Sequence, residues 1–211
     1  MGSLKYGNVG QINGKVGDVV VSSWKGKPYV KSVPGERKSP PTEKELNNRK
    51  KWAMAQAWLK PVTKFVRQGF NGYTPTVEGF LAAKSYLLKN AFEGEAPDFI
   101  VNPALVKVSS GELPLPEQIT ATLIDDFVVQ FNWDTENIAL PNRYDQVMLL
   151  AYNVEKSYPA FKITGQFRST GVDTLKLSVG RAPGVYHLYV AFVAADRSSQ
   201  SDSVYLGAVN V

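Results

Sequence analysis

From Pro97 to its end the chain reads as one β-run after another. Leu105–Val108, Ile119–Leu123, Phe127–Trp133, Gln146–Tyr152, Ala160–Gln166, Thr174–Val179, Val185–Ala194 and Ser203–Val211 are rich in β-branched and aromatic residues, with Pro, Gly, Asn or Asp between them. Strand-length runs recurring roughly every 8–15 residues, with no helix-length interval, predict an antiparallel sandwich and disfavour a parallel α/β sheet.

Ahead of Pro97 the period changes. Thr42-Glu43-Lys44-Glu45 has the spacing of a capping box, in which the Thr42 hydroxyl accepts from a free amide and Glu45 reaches back. Leu46, Trp58, Leu59, Val62, Phe65 and Val66 then recur at helical spacing, and Pro61 must kink or divide that helix. Gly69 and Gly72 close the segment. A second helix is predicted from an N-cap at Thr76, with Phe80, Ala83, Leu87 and Ala91 as its apolar stripe and Gly94 as its end. An antiparallel helix pair is the simplest arrangement. Trp52 and Trp58 fall six apart, off a single stripe, which leaves one of them for a second contact.

The first forty residues are β-patterned again. Val19–Trp24 and Pro28–Val33 flank Lys25-Gly26-Lys27, which predicts a hairpin, with Pro28 at the start of an edge strand. Gly7, Gly10, Gly14 and Gly17 suggest turns ahead of it. The prolines of residues 34–41 mark a linker. The expected fold is therefore α+β: an N-terminal β-hairpin and helical hairpin over residues 1–97, then an immunoglobulin-like antiparallel β-sandwich over 98–211.

The stretches "GKVGDVVVSSWKGKPYVKS", "KKWAMAQAWLKP" and "PGVYHLYVAFVAADRSSQSDSVYLG" together resemble a group of bacterial proteins of about this length, classed as a domain of unknown function. That resemblance implies no activity. The tail separately resembles the last hairpin of fibronectin type III and immunoglobulin-like sandwiches, which implies a fold and no function.

The charge is unevenly placed. Residues 1–100 hold 16 basic and 8 acidic side chains, residues 101–211 hold 8 and 11, and the first 67 residues alone hold 14 and 4. Such asymmetry predicts different surface duties for the two parts. No apolar run approaches the ~20 residues of a membrane span. The start lacks the layout of a secretory signal, an expectation that favours the cytoplasm.

Chemistry-bearing patterns are sparse. The chain has no cysteine and one histidine, His187, which reads as a surface residue beside Tyr189. No G-x-S-x-G elbow occurs, and "GNVGQING" lacks the flanking strand, helix and Gly-Lys-Ser/Thr of a phosphate loop. Asp125, Asp126, Asp134 and Glu136 have the spacing of turn carboxylates; paired acids for a glycosidase or a weak calcium site are the alternatives. The expectation is accordingly no catalytic, cofactor or metal residue, and no enzyme. The expected contact surface is Trp24, Lys25, Lys27 and Tyr29: aromatic anchors with complementary charge. A solvated lysine face competes with this reading. The preferred function is a non-catalytic structural or binding module acting through protein–protein contacts or self-assembly, with a protein partner or a homo-oligomer. The alternatives are nucleic-acid binding by the basic hairpin and helix, and a carbohydrate-binding sandwich with Tyr144, Tyr152, Tyr158 and Tyr189 on one platform.

Overall fold

The computed structural model describes residues 2–3, 14–24, 27–36, 38–72, 78–177 and 183–211, the side chains of residues 2, 3 and 24 excepted. The elements in chain order are β1 Gly2–Ser3, β2 Gly14–Val16, β3 Val19–Trp24, β4 Lys27–Ser32, α1 Glu43–Leu59, α2 Thr63–Gly69, α3 Gly79–Asn90, β5 Phe92–Glu93, β6 Ile100–Val101, β7 Thr120–Asp125, β8 Val128–Asn132, β9 Gln146–Asn153, β10 Tyr158–Lys162, β11 Val172–Lys176, β12 Val185–Val193 and β13 Val204–Asn210. The chain is thus mixed α+β, with N-terminal strands, then helices, then antiparallel sheets. It forms two compact units, Met1–Thr42 and Glu43–Val211.

The first unit is a four-stranded antiparallel sheet of order β1-β4-β3-β2. The predicted hairpin is β3–β4, with Trp24 opposite Lys27 and Val19 opposite Ser32. Pro28 nevertheless lies on an interior strand, since β4 pairs with β3 along its length and, among the described residues, with β1 at Tyr29 and Val30.

The second unit begins with α1, whose first residue directly follows Thr42, the predicted cap. Pro61 divides the predicted first helix: α1 stops at Leu59 and α2 resumes at Thr63. Among the described residues three α-helices therefore stand where two were expected. The α3 helix starts at Gly79, after Glu78, rather than near Thr76, which lies outside the described residues.

Two antiparallel sheets follow, β10-β9-β12-β13 and β11-β8-β7. Val129 and Phe131 of one sheet share a core with Val147, Leu149, Leu188, Val190 and Phe192 of the other, so the two pack face to face. The larger sheet is also covered on its second face. There Met148, Leu150, Tyr152, Tyr189, Ala191 and Val193 join Ala55, Trp58, Leu59, Val62, Phe65 and Leu87 of the helices in another core. Each such aliphatic or aromatic side chain taken out of water contributes about 1.5–3 kcal/mol. Trp58 meets Tyr152 edge to face, 5.0 Å between ring centres.

The division at Thr42 departs from the expected boundary at residue 97, since the helices belong to the body of the sandwich. The physical reason is visible in Val147-Met148-Leu149-Leu150-Ala151-Tyr152, an unbroken apolar run that only a doubly covered strand requires. The strand expected at Leu105–Val108 is absent. Pro103–Leu105 forms a 3-10 turn whose Ala104 amide donates to Asn102 Oδ1 at 3.0 Å. Beyond it, Val108 donates its amide to Ser203 Oγ and Ser110 donates to the Gly69 carbonyl, so no ladder forms.

A candidate contact surface

The register of the N-terminal sheet decides which side chains share a face, because successive residues of a strand alternate. Lys15 pairs with Val20 and Val20 with Lys31; Ser22 pairs with Tyr29, and Trp24 with Lys27. Those positions lie on one face. Val16 pairs with Val19, Gly14 with Val21, Val21 with Val30 and Ser23 with Pro28, which places four valines and a proline on the other. The sheet therefore has a lysine–tyrosine face and a valine face.

Of the four predicted contact residues, Lys27 and Tyr29 share the cationic face. Lys27 is exposed and Tyr29 half-buried. Trp24 takes a strand position on the same face, while its side chain lies outside the description, as does Lys25 entirely. The register sets Lys15 and Lys31 on the same face as this pair, while sequence reasoning missed the valine face altogether. Not one described residue between Gly14 and Thr42 is buried, and Val16 and Val19 are 56% and 37% exposed.

The remaining candidates find structural work in the second unit. Asp125 Oδ1 accepts the Asp126 amide and Asp134 Oδ1 accepts the Glu136 amide, the bonds of turn carboxylates. Asp134 and Glu136 also line a cleft of about 160 Å³ with Glu117, Asn142 and Arg168. This is well below the ~300 Å³ at which small-molecule sites begin. Among the described residues no group of three His, Asp or Glu is placed to hold a metal ion. The glycine run ahead of Gly14 lies outside the described residues.

His187 is half-buried rather than on the surface, with Nδ1 2.9 Å from the Tyr205 hydroxyl, and burial lowers its pKa. Tyr152 and Tyr189 are core residues, Tyr158 is half-buried and Tyr144 exposed, so these four do not form one platform. Trp52 is 54% exposed, with Lys84 Nζ 4.3 Å from its ring centre, whereas Trp58 is buried.

One buried ion pair sits beneath the cleft. Arg168 Nη1 lies 3.4 Å from Asp145 Oδ2, with the side chains 4% and 3% exposed. Burial lowers the arginine pKa against the opposing pull of Asp145. Burial raises that of Asp145, more than Asn142 and Arg168 together lower it. Trp133 Nε1 donates to the Arg168 carbonyl at 2.7 Å and the guanidinium lies over Phe192, contacts that fix it as part of the core.

Fold and surface together define a helix-backed antiparallel body preceded by an exposed, two-faced cationic sheet. The chain belongs to a family of unknown function, DUF6266, whose model matches residues 11–207. The matched stretch includes β2–β4 as well as the body, so the exposed sheet is part of the family domain. No curated protein matches the chain. Among the described residues no helix is long and apolar enough to cross a membrane.

Proposed function

We propose that the protein is a non-catalytic assembly module whose N-terminal sheet joins it to a second copy through the valine face. One observation carries this reading: a four-stranded sheet with Val16, Val19, Val21 and Val30 on a single face contains no buried residue among those described. A sheet of this size draws its stability from a hydrophobic face, and covering that face with a second one removes its valines from water. An uncharged valine face complements itself about a two-fold axis, and two such sheets stack about 10 Å apart. Among the described residues β2 is the outer strand of the sheet, and outer strands accept further strands, which supports the same use. In the body, the facing orders β11-β8-β7 and β10-β9-β12-β13 support a fibronectin type III-like sandwich.

Light scattering on the full chain tests the proposal. A dimer or larger species is expected, and Val19→Gln with Val30→Gln should return it to the monomer without lowering the melting temperature of the body. A wild-type chain that is monomeric at tens of micromolar overturns it.

A further inference from the structure

The opposite face of the same sheet has a different chemistry. We infer that it binds single-stranded nucleic acid, with Lys15, Lys27 and Lys31 on the phosphates and Tyr29 under a base. Residues 1–42 hold seven basic and two acidic side chains, while residues 43–211 hold 17 of each, so the whole net charge of +5 belongs to this unit. None of the residues of β2, β3 and β4 is acidic. Field lines from a surface of one sign concentrate a polyanion there.

The arrangement is more specific than a basic patch. Lys27, Tyr29 and Lys31 alternate along β4 and so share a face at intervals of about 6.6 Å. A cation thus stands on each side of an aromatic ring, and Lys15 adds a third charge beyond Val20. Phosphates are held by cations and splayed bases stack on aromatic rings, the combination by which single strands are gripped without sequence preference. A duplex, with its bases already stacked, has no use for Tyr29. The competing account, that strand lysines protect an edge, covers Lys15 on the outer strand β2. It gives no role to the tyrosine that stands between Lys27 and Lys31.

Fluorescence anisotropy of the full chain with a labelled fifteen-nucleotide oligo-dT measures this directly. Three neutralised phosphates predict a slope of log affinity against log salt of about −2. Replacing the three lysines with glutamine (K15Q/K27Q/K31Q) should weaken binding at least tenfold and flatten that slope. Tyr29→Ala, with every lysine in place, should weaken it about fivefold or more, and Tyr29→Phe should restore it. Failure to bind at low salt overturns the inference. So does binding that is indifferent to Tyr29→Ala and equally competed by heparin or anionic vesicles, which would be attraction to any polyanion. The Val19→Gln/Val30→Gln variant should retain the oligonucleotide, so a failed assembly and a failed nucleic-acid face are separate results.

Discussion

The Tyr152 hydroxyl, projecting from β9, donates a 3.1 Å hydrogen bond to the main-chain carbonyl of Trp58 on α1. That bond ties the final turn of a helix, whose last carbonyls have no intrahelical donor, to the centre of the larger sheet. Tyr189 repeats the device on β12 by donating to the Pro103 carbonyl at 2.7 Å. Tyr152→Phe keeps the edge-to-face contact with Trp58 but leaves that carbonyl without the hydroxyl. Urea unfolding should show a loss of about 1–3 kcal/mol with an unchanged m-value.

The two tryptophans of α1 separate cleanly. Trp58→Ala empties a site between helix and sheet and should cost about 3–5 kcal/mol. Trp52→Ala removes a half-exposed ring and its contact with the Lys84 ammonium, and should cost about 1 kcal/mol or less in the same experiment. Equal losses would place the helix face the wrong way round.

The buried pair predicts opposite pH behaviour for its two halves. Asp145→Asn leaves the Arg168 guanidinium buried without a counter-charge and should cost about 3–5 kcal/mol near neutral pH. In Arg168→Met the remaining carboxyl can take up a proton. The folded pKa of Asp145 already lies above its ordinary value of 3.8, so its ionised form is the disfavoured one. The deficit of Arg168→Met is therefore full above the folded pKa and shrinks as pH falls through it. Thermal melts from pH 7 downward should show that variant closing on the wild type.

His187 gives the converse profile. Burial holds its folded pKa below 6.5, so the neutral ring is the one that fits beside Tyr205. Its contribution is complete above pH 6.5 and declines as pH falls below that value and the unfolded chain takes up the proton more readily. Replacement with phenylalanine should flatten the melting-temperature profile between about pH 6.5 and 5. NMR titration of the wild-type ring checks the same point.

Gly69 ends α2 against the segment that displaced the expected strand. A methyl group there would run into the Val108 carbonyl and Ser109, while the Gly69 carbonyl accepts from both the Ser109 hydroxyl and the Ser110 amide. Gly69→Ala should cost about 1–3 kcal/mol by chemical denaturation.

Much of the body was legible in the sequence because periodicity survives folding. The strands β7, β8, β9, β12 and β13 follow their β-branched runs, β10 and β11 each begin two residues ahead of theirs, and Pro61 breaks the helix because no amide can complete the turn there. What remained hidden depended on partners distant in the chain. A doubly covered sheet was written in the unbroken apolar run of Val147–Tyr152, but only the helices' placement makes that run intelligible. Leu105–Val108 had strand composition, yet its amides donate to the Asn102 and Pro103 carbonyls and to the Ser203 hydroxyl instead of a ladder. In the N-terminal unit, composition pointed to Lys27 and Tyr29. Placing them with Lys15 and Lys31 on one face, and gathering the valines on the other, needed the β2–β3–β4 register.

Since the chain has no cysteine, Val19→Cys supplies a single site for a spin label on the valine face. Electron–electron dipolar spectroscopy of that labelled protein tests the central claim most directly. Two copies joined through this face bring their labels close enough for a well-defined intermolecular dipolar modulation, and dilution with unlabelled chain should remove it. A featureless decay from the singly labelled protein at tens of micromolar, unaltered by dilution, would contradict the account.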